Sequence, residues 1–312
     1  MVSPNIVVVG GCMIDFTSYC PRLPKEGETV HGSQFKNAFG GKGANQCIAA
    51  AKLGGKTALI ARVGDDTWGE QYLSNLKDFK VDTDFVHITP NFSSGIAQIN
   101  VAESGANQIV VIAGANSRLN IEDVENAKDV IGNADVVVCQ LETQPEVALA
   151  TLELCKGISI LNAAPASTSC NEKLFTLPTI FCVNESEASI FTGTPVDNLS
   201  GAKIAVELLL RKGCNTVILT LGSQGSLLAS KRSPNPIHVP VRAVQCVDST
   251  GAGDSFIGTL AYLLGTRKDM TFEKCVEISN YVAADSVTKL GTQASFPGPE
   301  ILERYFNSYL GA

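Results

Sequence analysis

The chain has 312 residues, 45% of them hydrophobic and 6% aromatic, with a formal net charge of −7. That is enough apolar material for one large core, and the acidic balance argues against nucleic acid as a partner. Ten cysteines without a C-x-x-C pair, beside only three histidines, argue against a zinc site. They read instead as reduced buried thiols of an intracellular protein, Cys12, Cys47, Cys139, Cys182 and Cys246 among them.

In chain order, "NIVVVG" (residues 5–10) is a β-branched run that ends in glycine and reads as a buried strand. The residues before it carry no basic stretch, and no apolar run approaches the ~20 residues of a membrane span. Neither a signal peptide nor a membrane partner is expected, and the default compartment is the cytoplasm, with the nucleus left open. "ETVHGSQFKNAFGG" alternates in polarity and predicts a solvated strand. "GKGANQCIAAAKLGG" predicts a helix, with glycines before it, alanines inside it and a Gly54–Gly55 stop. In "GIAQINVAESGANQIVVIAG" two alternating runs flank "ESGAN", a hairpin pattern.

From "ADVVVCQLE" onward, continuous apolar strands alternate with helices through "EVALATLELCK", "ISILNAAP", "IFCVNESEASIFTG", "AKIAVELLLRKG" and "TVILTLG". That pattern predicts an α/β fold, a doubly wound, mostly parallel sheet with helices on both faces. A small discontinuous β-sheet, residues 17–39 and 89–113, is expected beside it on one domain spanning 1–312. No internal repeat is visible.

Open α/β sheets bind ligands beyond the carboxyl ends of their strands, and each candidate motif follows an apolar run. Asp15 in "GGCMIDF" is one candidate, with a loop aspartate bonded to its own backbone as the plain alternative. "FGGKGANQ" supplies bare backbone at Gly41, an amine at Lys42 and a two-way hydrogen-bonding amide at Asn45, a set suited to polyol hydroxyls. It is not a Walker loop, because Gly43 follows the lysine. Glu142 stands directly after a buried strand; a helix-dipole acid is its alternative. In "NESE", Asn184 and Glu187 also satisfy a capping box. "TLGSQG" (Thr220, Leu221, Gly222, Ser223, Gln224, Gly225) is a glycine-bounded turn, or simply the turn of a hairpin into "SLLAS".

"DSTGAGDSF" opens a helix with glycines. The amides of Gly251, Ala252 and Gly253 would converge where the helix end attracts a phosphoryl group. Asp254, in the first turn, would repel that group yet is placed to take a proton from a hydroxyl attacking it.

Together "FGGKGANQ" and "DSTGAGDSF" resemble the two signatures of the ribokinase-like (PfkB) carbohydrate kinases, over residues 6–306. "GETVHG", "AGAN", "QLE", "NAAPA", "NESEA", "TLGSQG" and "GTQAS" also fall in the order of the family's ribokinase branch. The resemblance implies an ATP-dependent kinase acting on the 5-hydroxyl of D-ribose, with the small sheet as a lid and as a homodimer interface. It implies sugar contacts at Asp15, Gly41, Lys42, Asn45 and Glu142, Asp254 as general base, and Gly251, Ala252 and Gly253 as the anion hole. Nucleotide contacts are implied at Asn184, residues 220–225, Gly253 and Asn280, with Glu187 organising Mg2+. A monovalent cation, K+, is implied at Asp248, Thr250, Ser286, Lys289, Gly291 and Ser295.

The helix "FEKCVEISNYVAADSV", with Cys275, Ile278, Val282 and Ala283 as its buried stripe, would bring those two loops together. Met13, Ser249 and Asn280 depart from common family residues. The rival readings are a family kinase for deoxyribose, fructose or a nucleoside, and a silent sugar-binding protein. A dinucleotide oxidoreductase is disfavoured because no G-x-G-x-x-G follows the first strand.

Overall fold

The chain runs β1 (Asn5–Val9), β2 (Met13–Cys20), β3 (Gln34–Gly40), α1 (Lys42–Lys52), β4 (Lys56–Gly64), α2 (Thr67–Asp78), β5 (Val86–Thr89), β6 (Gly95–Ala102) and β7 (Asn107–Ile112). It continues through α3 (Ile121–Asn126), α4 (Lys128–Gly132), β8 (Val136–Cys139), α5 (Pro145–Leu154), β9 (Ile158–Asn162), α6 (Lys173–Thr176), β10 (Ile180–Asn184), α7 (Glu185–Thr192) and α8 (Leu199–Arg211). It closes with β11 (Thr216–Thr220), β12 (Ser226–Ser230), β13 (Ile237–Val239), α9 (Ala252–Thr266), α10 (Phe272–Ser286) and α11 (Glu300–Leu310). This computed structural model describes residues 5–310, with side chains through 307; Met1–Pro4, at the head of the strand-like start, lie outside the described residues.

A nine-stranded sheet has the order β13-β12-β11-β10-β9-β8-β1-β4-β5. It is parallel from β5 across to β11, with β12 and β13 added antiparallel. Strand alternation splits the core into two layers. Val8 of β1 faces α1, α9 and α10, while its neighbours Val7 and Val9 face α3, α5 and α8. Because β1 pairs with β4 on one side and β8 on the other, the topological switch point lies beyond β1, where ligand clefts form in such sheets.

Glycines close this region. A Cβ at Gly43 would come within 2.7 Å of Gly10 Cα, and one at Gly258 within 2.6 Å of Gln46 O. The missing side chains let α1 sit on the end of β1 and let α9 pack directly on α1.

The second sheet has the order β3-β2-β6-β7. It differs from expectation at three edges. It begins at Met13 instead of 17, so Asp15 lies on a strand and not in a loop. Thr89 belongs to β5, at the edge of the large sheet. Within "ETVHGSQFKNAFGG" only Gln34–Gly40 is strand. The residues before it form a turn in which Arg22 and the Lys25 amide bind the Glu28 carboxylate, a local arrangement that outcompetes strand pairing. The "ESGAN" hairpin forms as read, joining β6 and β7.

Among the described residues no helix is long and apolar enough to cross a membrane. Cys12, Cys47, Cys139 and Cys182 are buried free thiols; Cys246 is exposed, against expectation, because its segment has no regular structure and runs along a cleft wall.

Candidate active site

Asp254 is 7% exposed in the first turn of α9. Its Oδ2 accepts a hydrogen bond from Asn45 Nδ2 at 2.9 Å and its Oδ1 one from Gln46 Nε2 at 2.9 Å. Burial raises its pKa, against the opposing pull of Lys42, Gln46 and Asn45.

Gly251 caps α9 at φ 79°, a conformation that favours glycine. A Cβ at Gly253 would meet nothing within 4 Å, so that backbone borders open space. One expected donor is otherwise engaged: Ala252 N–H turns back onto Ser249 O at 3.2 Å, because the turn into the helix closes there. Gly251 and Gly253 are left as the turn's amides without a backbone partner among the described residues.

Around Asp254 stand the sugar-motif residues. Lys42 opens α1, and its backbone N–H donates to Glu142 Oε2 at 2.7 Å, so the acid after β8 caps the helix that carries the lysine. Asp15 projects from β2 over Gly40, where any Cβ would collide with its carboxylate. Burial, reinforced by the charge of Asp254, raises the Asp15 pKa to about 6. Burial raises Glu142 to about 7, with Lys42 opposing. For Lys42, burial acts to lower the pKa, but Asp254, Glu142 and Glu187 outweigh it and hold the ammonium above its ordinary value.

Phe16 follows Asp15 and so lies on the other face of the strand, packed against Trp68 and Phe35. Met13 is buried, its Sδ 3.6 Å from Asn116 Nδ2.

Beyond Asp254 the space continues in two parts. A pocket of about 180 Å3 is lined by Lys42, Asn162, Asn184, Glu187, Gly253 and Asp254. A cleft of about 480 Å3 is lined by Thr220, Gly222, Ser223, Gly225, Asn280 and Phe256, among others. Two expected members of the 220–225 turn do not line it: Leu221 is buried in the core beneath the turn, and the Gln224 backbone carbonyl is held by His238 Nε2 at 2.7 Å. Asn280 lines the cleft but spends its amide hydrogens on Ser226 Oγ and Val239 O, each at 3.0 Å. Ala283 is half-buried on the same cleft wall instead of on the buried stripe, while Cys275, Ile278 and Val282 are buried as expected.

Asn184 and Glu187 form a closed capping box. Glu187 Oε2 accepts from Asn184 N–H at 2.9 Å and Oε1 from Asn184 Nδ2 at 3.0 Å. Burial raises the Glu187 pKa, opposed by those bonds and by Lys42. Each Glu187 oxygen keeps a lone pair, and Glu187 lines the pocket beside Lys42 and Asp254, so it can accept from a water of a divalent ion there.

The two distant loops named for a monovalent cation do meet. Asp248 Oδ1 accepts from Thr250 N–H and Oδ2 from Gly291 N–H, each at 3.0 Å. The backbone N–H groups of Val247 and Asp248 both donate to Val287 O. Partial burial acts to raise the Asp248 pKa, but the Thr250 hydroxyl, the Thr250 and Gly291 amides and the charge of Lys36 outweigh it and lower the pKa. The side chains of the other members turn elsewhere: Lys289 to Asp285 at 2.8 Å, Ser286 to Ala283 O and Ser295 to Thr292 O. With those side chains engaged, backbone carbonyl oxygens would have to supply the other donors to a hard cation between the loops.

Four amides escaped the sequence reading: Gln46, Gln140, Asn162 and Gln293. Each lies inside or beside a quoted motif, and only a structure shows them meeting.

The profile of pfkB family carbohydrate kinases matches residues 3–299. The chain is 46% identical over 295 residues to a ribokinase of Mus musculus, covering 94% of this chain and 91% of that one. It is 38% identical over 309 residues to a deoxyribokinase of Salmonella typhi, covering 98% of each. Its fold matches the structure of Arabidopsis thaliana ribokinase complexed with ribose and ATP, with a TM-score of 0.86 and 30% identity over 97% of this chain and 98% of that one.

Proposed function

The chain belongs to the pfkB family of carbohydrate kinases, and from that membership we propose that it transfers the terminal phosphoryl group of ATP to the 5-hydroxyl of D-ribose. The observation that carries this reading is the position of Asp254. It is buried in the wall of a polar pocket that it shares with Lys42 and Gly253, near enough to the carboxylates of Asp15 and Glu142 for its charge to raise their pKa values, and an open cleft bordered by glycine backbone adjoins that pocket.

In this reading Asp15, Gly41, Lys42, Asn45 and Glu142 hold the sugar, giving its hydroxyls both donors and acceptors. Asp254 takes the proton of the 5-hydroxyl as that oxygen forms its bond to the γ-phosphorus; the bond to the β-phosphate oxygen breaks and ADP leaves. The amides of Gly251 and Gly253, with Ala252 where the turn opens, stabilise the charge on the moving group. Asn184, the 220–225 turn and Asn280 border the nucleotide, and Glu187 orders water around its Mg2+. The Asp248 and Gly291 loops hold K+ through oxygen atoms.

The small sheet serves as the lid over the sugar and as a homodimer interface. Ile109, Val110, Val111 and Ile112 of β7 are all 51–62% exposed, an apolar strip that a second copy would cover. Sedimentation at micromolar concentration is expected to show a dimer. The compartment proposed is the cytoplasm, consistent with ten free cysteines.

A coupled assay with ATP, magnesium and a panel of ribose, deoxyribose, fructose and nucleosides tests the activity. Ribose is expected to give the highest kcat/KM. The deoxyribokinase similarity favours deoxyribose as the second reading, and a higher value for that sugar would select it.

A further inference from the structure

We infer that Gln46 and Gln293 are positioning residues for the base: two chains of buried amides, Gln140–Gln46 and Gln293–Asn45, aim the Asp254 carboxylate. This rests on the reading of Asp254 as the base and names what holds it.

Each carboxylate oxygen receives one N–H. Gln46 Nε2 donates to Asp254 Oδ1 at 2.9 Å and to Asn162 Oδ1 at 2.9 Å. Asn45 Nδ2 donates to Asp254 Oδ2 at 2.9 Å. A primary amide can turn over and present its oxygen instead, which would set two acceptors against each other. Each amide is fixed against that by a second one. Gln140 Nε2 donates to Gln46 Oε1 at 2.7 Å. Gln293 Nε2 donates to Asn45 Oδ1 at 2.9 Å, and Asn75 Nδ2 in turn fixes Gln293 Oε1 at 2.9 Å.

Gln140 is informative because only half of it is used. Its Oε1 is buried without a partner, lying against the backbone of Gly10. An orphaned buried carbonyl weakens a fold, so the part of this side chain with a task is its nitrogen. Gln293 belongs to the "GTQAS" loop, two residues from Gly291. The same loop thus touches Asp248 at one end and the partner of Asp254 at the other.

Neutral amides suit the purpose. They hold an anion by direction without competing for its proton, and they leave one lone pair on each oxygen toward the pocket. The ionisable groups around Asp254 are Lys42 of α1, Asp15 of β2, Glu142 after β8 and Glu187 of α7. None of them belongs to the two chains.

The test is the pH dependence of kcat at saturating ribose and ATP, which reports groups in the bound complex. Losing a donor destabilises the ionised form, so the acid limb moves to higher pH. Gln46→Leu is expected to lower kcat about tenfold or more and to move the limb up by about one pH unit, the scale of one charge-assisted hydrogen bond. Gln140→Leu and Gln293→Leu, which touch neither Asp254 nor the lysine, are expected to move it the same way by less, with melting temperatures lowered because each leaves buried amide groups unpaired. They decide the matter if Gln46→Leu fails to fold. An unmoved limb in both overturns the inference, even if Asp254→Asn has lost its turnover. Turnover retained in Asp254→Asn would instead remove the base reading itself.

Discussion

Two helices present their N-termini to the same pocket, and they are finished in opposite ways. At α7 the end is closed. Asn184 and Glu187 satisfy each other's backbone and side-chain groups, each carboxylate oxygen accepting one hydrogen bond from Asn184. At α9 it is open. Gly251 provides no side-chain cap, and Asp254 is bound by α1 rather than by its own helix. Both are acidic first turns after a loop or strand, and helix propensity alone cannot separate them. The difference lies in who satisfies the orphan groups. A turn that satisfies itself is explained by stability; one left for another helix and for the cleft has capacity to act on a ligand.

That contrast is broken or sharpened first by substituting the two acids. Asp254→Asn keeps the shape and removes the proton acceptor, so kcat is expected to fall at least ~100-fold with ribose binding near normal. Glu187→Gln is expected to lose much less. Equal losses, measured by steady-state turnover of both variants, would erase the distinction between the two turns.

The next effect is on the sugar. Asp15→Ala is expected to raise the KM for ribose by a factor that corresponds to about 1–3 kcal/mol, with little change for ATP, because it leaves sugar hydroxyls unpaired. A loss of ATP affinity instead would exchange the two subsites. The same carboxylates set a pH dependence. With folded pKa values raised to about 6 at Asp15 and about 7 at Glu142, both acids are fully ionised only above neutrality. The KM for ribose is therefore expected to rise as pH falls through 7 and then 6. The sugar-free fold should behave oppositely. Its raised pKa values mean that it binds protons more tightly than the unfolded chain, so stability falls as pH rises from the ordinary carboxylate range toward 7. Melting curves with and without ribose across that range check the sign.

A smaller effect belongs to the closed turn. Asn184→Ala removes a cap whose typical contribution is about 1 kcal/mol, visible as a lowered melting temperature. Its turnover is expected to change less than that of Glu187→Gln, since the asparagine acts on the glutamate.

Much of this was legible in the chain. Period-two and continuous apolar runs gave both sheets, and "DSTGAGDSF" exposed its helix start through glycines that no cap would require. That Lys42, Glu142 and Asp254 stand near one another was suggested only in part: Glu142 directly follows an apolar run, whereas Lys42 stands among glycines and Asp254 in the first turn of a helix, and both acids also have a plain helix-end explanation. The edges were not. Glu28 reads as strand polarity until Arg22 is seen to claim it, and Asp15 reads as a loop residue until β2 is seen to pair with β3 and β6. The amides around Asp254 were illegible for a different reason. Asn45 and its partner Gln293 lie 248 positions apart, and an amide carries no charge pattern by which a sequence reveals its partner.

The smallest expected effect concerns what keeps the α9 turn open where α7 is fastened. No side chain caps it, so the turn must be set from the segment below. Asp248 supplies that setting: its carboxylate is held by the amides of Thr250 and Gly291, and Val287 O binds the backbone at 247 and 248. If oxygen atoms of these loops also hold K+, the turn gains rigidity and the amides of Gly251 and Gly253 are aimed before the phosphoryl group arrives, a preorganisation effect. Activity measured first in buffer free of sodium and potassium, then with potassium titrated at constant ionic strength, is expected to rise severalfold. Asp248→Ala should flatten that response without reproducing the loss seen in Asp254→Asn, because the base itself is untouched. A flat titration in the parent protein would mean that the loop contacts alone hold the turn. Asp248 would then be a cap acting at a distance, and the two helix ends would differ less than their hydrogen bonds imply.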